Sequence, residues 1–494
     1  MLFGLTFAVY HRSIGFTFFA DDFFVLDLIS EGPLKALLPS RNVYHYFPVF
    51  LLLAGVPRWL GIGQPGVYHV LILLIHSANS VLVYHIARRL LGSRFHASGA
   101  ALIFSLFFMS YDPVLWTLSG SFYVMSLFFA LLSFASFLQY RINGRRFYLL
   151  GFPAFYIIAI YTNELTAPIL GVCLLYDLTR RSEDEFSLLR SWLSTSWLYV
   201  GPAVAIVVLS IIKHLFTSKI LVAHNSPLKL AQNFVSAACF LSPFNNTTAY
   251  WLFSKIGQNW MCVVAGSVTM VVVLVVCLAK GNQGQRVALA WVSLCVLPAI
   301  LLAELSPRYF YIPAAGWAIF WAGTAQADTE WMKGRPLFKR QERFPEERAL
   351  LAFVAAGLIY ACVALQGYRH IAHLIDLWGQ GSAIIQEATQ STADLIIQYP
   401  SKKKVIVVDQ PVWLQADDFY GAPLLIDSMS LPLKGLLNID RPGIKGVAYE
   451  SDSPFSYFPK VTQEELQAIA ADPETLVIRY DPNKRRMVPM ETLQ

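Results

Sequence analysis

Charge is what this 494-residue chain has least of: Asp, Glu, Lys and Arg together make up 14% of it, against roughly 25% in an average soluble domain. A surface that must stay in water needs more, so an ordinary soluble domain is excluded. Cysteine is scarce as well. Cys173, Cys262, Cys277, Cys295 and Cys362 fall in apolar runs and Cys239 lies in a loop without an evident partner, so no disulfide framework is expected. There is no Cys/His metal spacing, Gly-rich phosphate loop or Gly-x-Ser-x-Gly elbow. These absences argue against a nucleotide-driven pump and against a serine hydrolase.

What the chain has is apolar length. Hydrophobic residues make up 56% and the mean hydropathy is +0.50, which marks an integral membrane protein. Runs long enough to span occur at about 67–87, 120–139, 197–216, 259–279, 286–303, 309–326 and 349–367. Shorter ones lie at 98–110, 147–161 and 164–178. A span needs about 20 apolar residues, fewer where the bilayer thins, so with the N-terminal segment about 11 spans are expected. The run 47–60 carries Pro48, Pro57 and Arg58 and reads as an interfacial or re-entrant helix. Met1 to Tyr10 precedes His11-Arg12, only about 15 Å of helix, so either the native chain starts upstream, which is the favoured expectation, or this helix is unusually short. No cleavable signal is evident.

Basic residues give the orientation. Loops around Arg88-Arg89-Arg94, Arg141-Arg145-Arg146, Arg180-Arg181-Arg190, Lys280-Arg286 and Lys333 to Arg348 hold most of the inter-span Lys and Arg and are expected to be cytoplasmic. The alternate loops, with Asp21-Asp22, and the chain from about 368 are then extracytoplasmic, in a plasma membrane of bacterial type. The net charge of +6 follows from the same bias and needs no nucleic acid.

Against this background the pair Asp21-Asp22 stands out, because ionisable groups at a bilayer boundary are costly and default to functional candidates. A helix cap with solvated acids is the alternative. Other polar groups sit at the mouths of spans on the same side: Asp112 in Ser110-Tyr111-Asp112-Pro113, Glu164 in Thr162-Asn163-Glu164, and Glu304 and Arg308 followed by Tyr309-Phe310-Tyr311-Ile312-Pro313. Turn chemistry or an interfacial aromatic belt would explain each alone. Together they suit a lipid phosphate gripped by Arg308 and a hydroxyl deprotonated by Asp21 or Asp22, with Asp112, Glu164, Tyr309 and Tyr311 as substrate-binding residues. A divalent cation, Mg or Mn, is compatible with the acidic pair but not established by two neighbouring carboxylates. His69 and His76, seven residues apart, read as helix-packing hydrogen-bonders.

The stretch Tyr68 to Tyr84, with His69, His76 and Asn79, resembles the second-helix signature of the transmembrane O-mannosyltransferases that carry TPR repeats and of their bacterial relatives. Those are GT-C glycosyltransferases, multi-span enzymes using polyprenyl-phosphate sugars. Similar pieces follow in order: Asp21-Asp22, Tyr46-Phe47-Pro48, Leu118-Ser119-Gly120, Thr162-Asn163-Glu164 and Arg308 to Pro313. The resemblance covers about residues 15–325. It departs at Phe47, where the eukaryotic members have Arg, at Thr162-Asn163, where they have Ser-Lys, and at their His-Pro-x-x-Glu element, for which only Asp112 approximately remains. It implies an all-α polytopic GT-C fold and inverting transfer of a sugar from a polyprenyl-phosphate donor to an acceptor hydroxyl of a glycan, lipid or protein. A catalytically silent assembly subunit of the same fold and a transporter or flippase are the alternatives.

The chain is expected to divide into a transmembrane module, 1–367, and an extracytoplasmic α/β domain, 368–494. The latter opens on an amphipathic helix at about 369–398. Lys404 to Asp409 and Thr475 to Tyr480 read as buried strands. TPR periodicity is lacking. Asp417-Asp418 echoes the first acidic pair but reads as solvated.

Overall fold

The computed structural model describes all residues except 1, 39–45, 180–196, 217–226, most of 241–280, 302–305, 335–344, 412, 416–420, 425–429, 438–443, 448–458 and 491–494. Glu304, Asp417, Asp418 and nearly all of the run 259–279 thus lie outside the described residues.

The chain folds as a helical bundle carrying a small α/β unit. Its first half comprises α1 (Leu2–Tyr10), α2 (Asp21–Ser30), α3 (Pro33–Ala36), α4 (Pro48–Trp59), α5 (Pro65–Leu91), α6 (Arg94–Ser105), α7 (Tyr111–Leu115), α8 (Ser121–Asn143), α9 (Arg146–Thr162) and α10 (Ile169–Thr179). Then come α11 (Trp197–Phe216), α12 (Pro227–Phe240), α13 (Gln283–Ile300), α14 (Tyr311–Gly334) and α15 (Pro345–Gln398). Among the described residues, four helices are long and apolar enough to cross a membrane: Pro65–Leu91, Ser121–Asn143, Leu198–Leu215 and Leu350–Gln398.

Local chemistry sets the helix ends. α5 opens on Pro65, whose missing N–H costs nothing in the first turn. It closes at Gly92, where φ of +72° lets the glycine amide donate to the Arg88 carbonyl; Gly144 ends α8 in the same way. α5 lies at the centre of the bundle and buries His69, His76, Ser77, Asn79 and Ser80. Inside a bilayer such groups need partners. The His76 ring bonds the Tyr311 hydroxyl at 2.7 Å and the Ser105 carbonyl at 3.2 Å. Asn79 Nδ2 donates to the Val124 carbonyl at 2.9 Å and to the Tyr311 oxygen at 3.2 Å. These bonds tie α5 to α6, α8 and α14, as the helix-packing expectation for His76 required. His69 instead holds Thr117, in the loop before α8, at 2.8 Å.

The run 349–367 and the polar helix expected at 369–398 form one continuous helix, α15, of 54 residues, about 80 Å long. No proline interrupts the junction. The change of composition there does not end the helix, and the division at 367/368 falls inside it.

Beyond α15 the chain folds back into β1 (Lys404–Val408), β2 (Trp413–Gln415), β3 (Gly421–Pro423), α16 (Ser430–Leu437), β4 (Ile444–Val447), α17 (Gln463–Ala470), β5 (Thr475–Asp481) and β6 (Arg486–Pro489). The main sheet has the order β4-β1-β5-β6, with β6 antiparallel to β5 and the other pairs parallel. The strands expected at 404–409 and 475–480 are β1 and β5. Their apolar runs are continuous because both faces are covered. Val405, Val407, Leu476 and Ile478 face the bundle's core with Leu433 of α16, while Ile406, Val408 and Val477 enclose Leu466 of α17.

Candidate active site

The segment leading into Asp21 takes an unusual path. Ala20 has φ of +40° and ψ of −112°, a conformation that costs a non-glycine residue on the order of 1–3 kcal/mol and persists only where surrounding contacts over-determine it. Those contacts are present. The Ala20 amide donates to the Leu424 carbonyl at 2.7 Å, the Thr17 amide donates to Ser382 Oγ at 3.0 Å, and Trp116 Nε1 donates to the Phe19 carbonyl at 3.2 Å.

The two carboxylates then part company. Asp22 is fully buried, and its oxygens accept three backbone amides: Leu118 at 2.8 Å, Ser119 at 2.6 Å and Phe19 at 3.0 Å. It is a clamp between the turn that opens α2 and the loop before α8. Gly120 completes that loop, lying too close to the Pro113 and Trp116 carbonyls for any side chain. Asp21 is only partly buried, and its charge acts on both Asp22 and Arg308. Of the two, Asp21 has the exposure that an incoming hydroxyl would need.

Burial pushes the Asp22 carboxyl up from 3.8 to about 7, although the three amides pull the other way. Burial also raises Asp112, against the pull of Arg308 and Ser306. A group that keeps its proton in the folded state after the unfolded chain has lost it stabilises the fold less as pH rises. Thermal unfolding in detergent should therefore show a stability contribution from Asp22 that is full below about pH 4 and declines up to about pH 7, a slope that Asp22→Asn removes.

Arg308 and Asp112 form the second half of the site. A short 3-10 turn, Pro307–Phe310, leads into α14, and Asp112 in α7 secures it by accepting from Ser306 Oγ at 3.3 Å and from the Arg308 amide. The Arg308 guanidinium lies 4.5 Å from the Trp116 ring centroid and 5.9 Å from that of Tyr309. Such stacking favours a planar cation. Arg308 Nε is buried without a hydrogen-bond partner, as are Ser119 Oγ, Ser110 Oγ and Asn163 Nδ2 on turns at the same end of the bundle. Buried polar atoms that lack partners call for an explanation; a polar ligand would supply one.

Glu164 contributes differently from what its sequence position suggests. Its carboxylate accepts from Lys213 Nζ at 2.6 Å, with the lysine side chain only 12% exposed. Lys213 sits near the end of α11, in a run that reads as a span, so the sequence did not single it out. The only signal was a lysine in the last turn of an apolar helix, usually just a snorkelling group. Glu164, Arg308, Asp112 and Tyr309 all act electrostatically on Tyr123 at the start of α8, which places them in one neighbourhood. Tyr309 is half-buried there, with its ring centroid 6.1 Å from that of Tyr123. Tyr311 is not part of the group. Two residues further on, where the turn has become α14, its hydroxyl points into the His76 and Asn79 network and serves packing. Phe47 stacks on Phe122 at 6.0 Å, an apolar contact where the resemblance would expect a cation.

The described residues lend a divalent cation at the acidic pair no support. Both Asp22 oxygens are engaged by amides, and among the described residues no three His, Cys, Asp or Glu side chains are grouped to hold a metal.

No family model matches the sequence, and no curated protein matches it. Among solved structures, the fold is similar to ArnT from Cupriavidus metallidurans bound to undecaprenyl phosphate, at 13% identity and a TM-score of 0.47, over 98% of this chain and 93% of that one. It is also similar to the Archaeoglobus fulgidus oligosaccharyltransferase in complex with Zn and sulfate, at 11% identity and a TM-score of 0.45, over 82% of this chain and 60% of that one. With both TM-scores below 0.5, neither likeness bears on what the site does.

Proposed function

We propose that this chain is an inverting membrane glycosyltransferase of GT-C type that moves a sugar from a polyprenyl-phosphate donor to an acceptor hydroxyl on the outer face of the membrane. The observation that carries the reading is Arg308, a partly buried cation stacked on Trp116 whose Nε is buried without a hydrogen-bond partner, within electrostatic reach of a partly exposed carboxylate, Asp21. Arg308 would grip the donor phosphate at the membrane boundary while the lipid tail stays in the bilayer. Asp21 would take the proton of the acceptor hydroxyl, a poor nucleophile at neutral pH. Attack on the anomeric carbon from the face opposite the phosphate breaks the bond to the phosphate oxygen and inverts the centre. The negative charge that then develops on the departing lipid phosphate is met by Arg308, with Lys213 as a second cation nearby.

Purified protein given a polyprenyl-phosphate hexose or pentose and a panel of hydroxyl acceptors should release polyprenyl phosphate and form a glycoside of inverted anomeric configuration, read by NMR. Retention of configuration, or a product made without the lipid carrier, would sink the mechanism. The outer-face assignment rests on the Lys and Arg distribution. An impermeant thiol reagent added from outside should therefore label Lys403→Cys and spare Arg145→Cys; the opposite pattern would move the site to the cytoplasm.

A further inference from the structure

The strained turn before Asp21 is held from two sides, and one of them is formed by the second half of α15 and the unit beyond it. From the bundle, Asp22 grips the Leu118 and Ser119 amides, and Trp116 grips the Phe19 carbonyl. From the C-terminal segment, the Leu424 carbonyl accepts the Ala20 amide at 2.7 Å and Ser382 Oγ accepts the Thr17 amide at 3.0 Å. On the same side Trp378 packs edge-on against Phe19, with centroids 4.8 Å apart. Downstream of the turn, Lys434 of α16 pairs with Asp27 of α2 at 2.5 Å. The bundle contacts fix Asp22. The C-terminal contacts bracket the turn, acting on residues 17–20 before Asp21 and on Asp27 after it. An alanine held at positive φ relaxes when its constraints are removed, and the residue that would swing with it is the next one, Asp21.

We propose that Ser382, the Leu424 carbonyl and Lys434 are positioning residues that set the Ala20 turn and thereby where the Asp21 carboxylate stands. α15 and the C-terminal unit thus complete the site on its outer side. The proposal rests on the reading of Asp21 as the base. It predicts a defect in turnover rather than in donor binding, since Arg308 and Trp116 belong to the bundle.

The test uses the full-length protein in detergent or nanodiscs and reads two quantities. Hydrogen exchange over residues 16–24 should be faster in Ser382→Ala by about tenfold, the scale of one lost buried hydrogen bond. In the same variant kcat should fall by about tenfold with the KM for the polyprenyl-phosphate sugar unchanged, and Ser382→Thr, which keeps the hydroxyl, should recover both. Should Ser382→Ala fail to fold, the surface pair serves instead. Lys434→Asp should lower kcat, and adding Asp27→Lys should restore it. Unchanged exchange over residues 16–24, or faster exchange with undiminished kcat, would overturn the proposal. If the wild-type chain transfers no sugar from any lipid-phosphate donor, the reading of Asp21 falls, and exchange alone then decides whether the C-terminal contacts hold the turn.

Discussion

Asp21→Asn should lower transfer by about 10²- to 10⁴-fold, the contribution of a positioned general base, while leaving folding and donor binding intact. Asp22→Asn should behave in the opposite way. Its amide oxygen can still accept from Leu118 and Ser119, but its NH2 would face the Phe19 N–H, so that two donors meet where one carboxylate oxygen now accepts. Leaving that buried pair unsatisfied costs on the order of 1–3 kcal/mol, so thermal stability should fall before chemistry does. Measured side by side, the two variants separate the base from the clamp. Full transfer by Asp21→Asn would remove the base from the mechanism, whatever Asp22→Asn does.

Arg308→Ala should weaken capture of a polyprenyl-phosphate photo-crosslinker by roughly 10- to 150-fold, equivalent to about 1.5–3 kcal/mol for a charge-assisted contact in a partly desolvated site. Arg308→Lys should keep part of that binding. Lysine offers a single point charge and cannot lie flat on Trp116 while presenting two parallel N–H groups to phosphate oxygens. Unchanged crosslinking in Arg308→Ala would leave Arg308 as an interfacial cation resting on an aromatic ring.

Much of the candidate site was legible in the sequence because a membrane protein spends charge sparingly. Asp21, Asp22, Asp112, Glu164 and Arg308 were conspicuous for being ionisable at the mouths of apolar runs, and the structure brings Asp112, Glu164 and Arg308 to one neighbourhood, with Asp21 acting on Arg308. Which acid does what was not legible. Asp21 and Asp22 are adjacent, and what separates them is a loop almost 100 residues away, whose amides at 118 and 119 take up the second. Tyr309 and Tyr311 posed the same problem, since a 3-10 turn gives way to α14 between them and two residues of helix turn a side chain by about 200°. Lys213 was hidden by its context, an apolar run in which one lysine near the end looks like snorkelling. Trp116 was hidden because a lone tryptophan near an interface is ordinary.

The fold followed the same rule. Apolar runs were local signals, long for helices and short for buried strands, and α5, α8, α9, α11, β1 and β5 fall where those signals put them. The continuity of α15 was not visible, because hydropathy reports the surroundings of a helix and not its length. Nor could pattern alone show that the C-terminal unit reaches back to the Ala20 turn, a contact between backbone groups some 400 residues apart.

The most direct test is a structure of the full-length chain in nanodiscs with a polyprenyl phosphate bound. The account predicts phosphate density within hydrogen-bonding distance of the Arg308 guanidinium, beside Trp116 and Tyr309, with the lipid chain running away from it into the bilayer. A lipid phosphate resolved on the opposite face, or held by other cations with Arg308 still resting on Trp116 and untouched, would contradict it.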